Sequence, residues 1–119
     1  MDPPQGPEGT TWMGNQLLRQ VEALAMGGRL DGITNASKTV LFIMALNAHD
    51  KGTQTTPEAC YFRGWAHIAS AALGHRGLTP AGERAVARSI SELTTAGLIK
   101  VDVDEAHKRR QQVYRLTLW

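Results

Sequence analysis

The stretch from Thr79 to Leu118 constrains this chain most, because it spells one long helix, a glycine stop and two strands joined by a basic turn. Val86, Ile90 and Leu93 recur at i, i+4 and i+7, the spacing of one apolar stripe on an α-helix. Gly97 follows the last periodic residue, where a left-handed backbone is needed and glycine has no Cβ to clash. Leu98 is then placed for the hydrophobic contact that accompanies such a stop. At about 100° per residue, Arg84, Arg88, Ser91 and Thr95 fall opposite the stripe. That outer face carries guanidinium groups and hydroxyls with no carboxylate in its middle, which suits phosphates and base edges.

Beyond the glycine, Ile99, Val101 and Val103 alternate with Lys100, Asp102 and Asp104, the period of a half-buried strand. Tyr114, Leu116 and Leu118 alternate with Val113, Arg115 and Thr117 on the return. Residues 98–103 and 112–118 are therefore expected to pair antiparallel, directly after the helix. Between them, Glu105-Ala106-His107-Lys108-Arg109-Arg110-Gln111-Gln112 is too polar for a core and strongly basic. The spacing Val86-x3-Ile90-x2-Leu93-x3-Gly97-Leu98-Ile99 resembles the end of the recognition helix and the start of the wing in the winged helix-turn-helix superfamily. The resemblance covers roughly residues 34–118. It implies a mainly α fold with a small β-hairpin wing (α+β) that binds double-stranded DNA. Arg84, Arg88, Ser91 and Thr95 would then enter the major groove, and His107, Lys108, Arg109 and Arg110 on the wing would meet the backbone or minor groove.

A chain of 119 residues fits one domain around one core, expected over residues 12–119. Residues 1–11, rich in proline and glycine, read as a disordered tail without the basic or apolar regions of a leader. No apolar run approaches the about 18 residues of a membrane span. Cys60, as the only cysteine, excludes an internal disulfide and points to a cytoplasmic protein. Net charge is only +2, but residues 1–62 carry four Lys/Arg and six Asp/Glu, while residues 63–119 carry nine and five. The basic half is the half with the helix and wing.

From Trp12 onward, Leu17, Val21 and Leu24, with Leu18 beside them, make an amphipathic first helix ending at Met26-Gly27-Gly28. It lies outside a minimal winged domain, and either completes the core or pairs with its copy in a homodimer. A second helix is expected from Asn35, as N-cap, to about His49. Val40, Leu41, Phe42, Ile43, Met44 and Leu46 leave it little polar face, so it reads as central and buried, with Val40–Leu46 a further candidate for a dimer contact. Gly52 to Pro57 reads as loop. The order of apolar helix, Gly/Pro loop and helix-turn-helix is similar to that of phage and plasmid replication initiators.

A third helix is expected from Glu58 or Arg63 to Ala72, with Trp65, Ile68, Ala69 and Ala72 on one face. The connection that follows, Gly74-His75-Arg76-Gly77-Leu78-Thr79, exceeds the three or four residues common in a helix-turn-helix. Either the next helix begins a turn early, or residues 75–82 form an insertion. Thr79 is a cap, Pro80 suits the first helical position, and Glu83 favours the helix dipole.

Signatures of chemistry are absent: there is no P-loop, no nucleophile elbow and no spaced carboxylate pair. Cys60, His67 and His75 are the only metal-like set, and no Cys-x2-Cys or His-x3-His pair accompanies them. They read as a buried thiol and two surface or capping imidazoles. Trp12 and Trp65 read as core aromatics. No catalytic residue, metal, cofactor or small-molecule ligand is expected. The expected function is sequence-specific DNA binding by a small transcriptional regulator, or by a plasmid or phage initiator or accessory protein. The alternative is a winged helix used as a protein-interaction module.

Overall fold

The computed structural model describes residues 15–48, 59–61, 63–103 and 113–118. They form four helices and a small antiparallel sheet, a mainly α arrangement of the α+β class. The order is α1 (Asn15–Met26), α2 (Asn35–Asn47), β1 (Cys60–Tyr61), α3 (Gly64–Ala71), α4 (Pro80–Thr95), β2 (Ile99–Val101) and β3 (Tyr114–Leu116).

Helix α2 lies at the centre, packed against α1, α3, α4 and β1. Val40, Leu41, Met44 and Ala45 are buried, whereas Leu46 is 48% exposed, so the helix keeps an outer edge despite its apolar sequence. Its cap is Thr34 rather than Asn35: the Thr34 hydroxyl accepts from the Ser37 backbone N–H, and Asn35 is the first helical residue. Helix α1 lies along α2 with Leu17 and Val21 buried in the same core. The apolar stripe that could have served a dimer is therefore used within the chain. Val40, Leu41 and Met44 are likewise internal.

Helix α4 follows its local signals closely. Thr79 caps it by accepting from the Gly82 N–H, and Pro80 occupies the first turn. Val86, Ile90 and Leu93 are buried, and each such side chain contributes about 1.5–3 kcal/mol by leaving water. Gly97, at φ +79°, makes the stop. Its N–H donates to Thr94 O, and Leu98 N–H donates to Leu93 O, both at 3.0 Å, which satisfies carbonyls the helix would leave orphaned. Leu98 then buries beside Leu93 in the core.

The connection at residues 72–79 holds the extra length, so the helix starts at Pro80 and residues 80–82 belong to it. Gly77 N–H donates to the Ser70 hydroxyl and His75 N–H to Ala69 O, folding the connection back on α3. Gly82 permits this close approach: a Cβ there would lie 3.2 Å from Gly77 O and from Thr79 Oγ1.

The sheet order is β1-β3-β2, antiparallel throughout. Ile99 pairs with Leu116 and Val101 with Tyr114, so the expected hairpin pairing is present, shorter than residues 98–103 and 112–118. Of the two starts expected for the third helix, the structure has the later: Arg63 is the N-cap and the helix begins at Gly64, while Cys60–Tyr61 form β1 instead. The alternation on β2 also fails beyond its first residue: Ile99 is buried, but Val101 is 43% and Val103 71% exposed. β2 is an edge strand, and only its first residue reaches the helical layer.

Candidate nucleic-acid interface

The outer surface of α4 is built by helical periodicity. Gly82, Val86, Ser89, Ile90 and Leu93 are buried, which rotates Arg84, Arg88, Ser91 and Thr95 outward, all four exposed. Ser89 turns inward with the apolar stripe, as its place on the wheel implies. None of the large exposed apolar residues, which are Met26, Leu46, Leu78, Val101 and Val103 among the described residues, lies on this helix. The surface from Arg84 to Thr95 is therefore cationic and hydroxylic with small alanines between, and Glu83 is exposed in the turn before it.

Arg88, Ser91 and Thr95 line one wall of an open groove, and Gly32, Ile33 and Thr34 of the α1–α2 turn line the other. Glu92 also lies in this groove, a residue whose place the sequence pattern did not reveal. Its Oε1 accepts from the Thr34 hydroxyl at 2.8 Å and from the Ser37 hydroxyl at 2.5 Å. Its Oε2 accepts from the Thr34 backbone N–H at 3.1 Å. The carboxylate thus sits at the N-terminus of α2, where unpaired N–H groups favour negative charge. The Ser37 hydroxyl, then the Thr34 hydroxyl and N–H, hold its pKa below the ordinary carboxylate range. Glu92 is one turn beyond Arg88, the usual place for a helical ion pair, but it bonds across to α2 instead.

Measured against protein-family models, curated proteins and solved structures, the chain has no match.

Arg63, Arg76 and Lys100 are further exposed cations; Arg63 donates to the Asn47 amide oxygen at 2.9 Å, and Lys100 lies on β2. Arg115, at the middle of β3, is tied to Asp102 at 2.7 Å and is part of the sheet's own wiring. His107, Lys108, Arg109 and Arg110 lie outside the described residues, as does Trp12.

Several polar groups on the sheet and α3 have local partners. Cys60 is buried, with its thiol 3.7 Å from Asp102 Oδ2. His67 Nδ1 is 2.6 Å from the Tyr61 hydroxyl, and burial, with the Arg63 charge second, lowers its pKa. Burial raises the Tyr61 phenol far above its ordinary value. Trp65 packs half-buried on the core and donates from Nε1 to the Tyr114 hydroxyl at 2.8 Å, which joins α3 to the central strand. Among the described residues no three potential metal ligands converge, and no helix is long and apolar enough to cross a membrane.

Proposed function

We propose that this chain is a winged helix-turn-helix that binds duplex DNA sequence-specifically, with α4 as the recognition helix and the β2–β3 hairpin as the wing. The observation that carries the reading is the outer face of α4. Arg84, Arg88, Ser91 and Thr95 stand exposed there, without a large apolar side chain, while Glu92, one turn beyond Arg88, is bound to α2. Arginine pairs bidentately with guanine O6 and N7, so Arg88, mid-face, is the first choice for base readout. The order of α2, β1, α3, α4 and hairpin, with β3 between β1 and β2, supports the same reading. Lys108, Arg109 and Arg110 would add phosphate contacts from the turn.

A small transcriptional regulator and a plasmid or phage initiator or accessory protein are the roles such a domain would serve in the cytoplasm. Two half-sites read by a two-fold homodimer would multiply specificity. Because Leu17 and Val21 are internal, that dimer would use surface other than the α1 stripe. One observation favours the second reading, a protein-interaction module: Val101 and Val103 expose apolar surface at an edge strand. Binding of randomised duplexes, with and without Arg88→Ala, separates the two.

A further inference from the structure

Glu92 stands where a recognition helix faces bases, yet it is an acid, which at large would repel DNA. Its geometry gives it a use. An ionised carboxylate offers about four acceptor positions. Three are filled, by the Thr34 hydroxyl, the Ser37 hydroxyl and the Thr34 N–H. The fourth remains on a group fixed in place, in an open groove it shares with Arg88, Ser91 and Thr95. Fixing a long side chain in advance removes the entropy cost it would otherwise incur on contact. Protonation does not supply a donor, because all three partners favour the ionised form. The site therefore presents one preorganised acceptor beside a guanidinium donor.

Resting on the DNA-binding reading above, we propose that Glu92 is a specificity-determining residue: held by Thr34 and Ser37, it accepts from an exocyclic amino group, cytosine N4 or adenine N6, in the major groove next to the guanine read by Arg88. The pairing is chemically selective. Cytosine and adenine present an amino donor there, whereas thymine O4 and guanine O6 are acceptors that a carboxylate repels. Glu92 thus rejects two bases as well as welcoming two, and Arg88 supplies the complementary preference. Thr34 and Ser37 act through Glu92 and are positioning residues.

The test is selection from a randomised duplex library by the wild-type chain, Glu92→Ala, Glu92→Gln and the Thr34→Ala/Ser37→Ala pair, followed by affinities on the selected and a scrambled duplex. Circular dichroism confirms the fold of each. The wild type should select a cytosine or adenine beside the guanine, the recovered base telling which. Glu92→Ala should lose about tenfold on the selected duplex, the size of one good base contact. It should also gain on the scrambled duplex, because a negative charge near phosphate is removed. Opposite signs in one variant are what a merely structural acid would not give. Glu92→Gln, which keeps the shape and adds a donor, should admit thymine or guanine at that position. The positioning pair should blur the same position while retaining the carboxylate. If Glu92→Ala leaves the selected sequence unchanged and tightens both duplexes alike, the inference is wrong and the DNA-binding reading stands. If the wild type selects nothing, both fall.

Discussion

Gly97→Ala tests how α4 is joined to the β2–β3 pair. Gly97 holds φ +79°, and a Cβ there would meet nothing within 4 Å, so the substitution adds no steric contact and isolates the backbone term. Holding a non-glycine residue left-handed costs about 1–2 kcal/mol. The restricted unfolded chain of the alanine variant returns about 0.4–1 kcal/mol. The net expectation is a loss of about 1 kcal/mol, or about 4 °C in midpoint for a chain of 119 residues. If the backbone instead leaves the left-handed region, the Gly97–Thr94 and Leu98–Leu93 bonds are lost, each worth about 0.5–1.5 kcal/mol, so the loss is no smaller. Urea unfolding followed by circular dichroism measures it, with Gly97→Asn as control. Asparagine tolerates this conformation and should cost less than alanine. A neutral Gly97→Ala, or an asparagine variant as damaged as the alanine one, would refute the left-handed stop as the device that turns α4 into β2.

Three other expectations concern the frame around the site. Glu92 has a folded pKa below its unfolded value, so its contribution is present above the ordinary value of 4.5 and is lost as pH falls through the folded value. Acid unfolding of Glu92→Gln should therefore show a weaker pH dependence in that range than the wild type. His67 also titrates lower in the fold, but as a base: its share of stability is present above the ordinary 6.5 and declines as pH falls below it, and His67→Gln should flatten that decline. Leu17→Ala should cost about 2–4 kcal/mol in urea unfolding, because the side chain is 3% exposed inside the monomer core. Sedimentation of the same variant should leave association unchanged; a loss of dimer at unchanged stability would put the α1 stripe between subunits.

How legible the molecule was depended on how local each signal is. Helix α4 was readable because its stripe, its Thr79 cap, Pro80 and Gly97 all lie within a single short stretch and agree. The outward face followed from the same period. β1 was not readable: Cys60–Tyr61 is too short to show alternation, and it exists through its pairing with Tyr114 and Arg115, far along the chain. Val101 and Val103 misled because alternation says which residues share a face, not whether anything covers that face. The cap of α2 was misplaced by one residue because Thr34 and Asn35 are both good cap types. Glu92 is illegible in the sequence for the same reason as β1, since its partners Thr34 and Ser37, at the start of α2, stand 58 and 55 residues away.

The central claim, that the outer face of α4 reads DNA, is tested most directly by binding of Arg88→Ala to selected and scrambled duplexes across a salt series. The same series with Lys108→Ala and Arg109→Ala supplies the contrast, since phosphates carry no sequence. Arg88→Ala should lose about 1–3 kcal/mol on the selected duplex and little on the scrambled one, with discrimination weakened at one base position. The wing variants should weaken both duplexes alike and flatten the salt dependence by about one unit of slope per lost phosphate contact. If Arg88→Ala binds the selected duplex as tightly as the wild type does, with its base preferences intact, the recognition face is not where this account puts it.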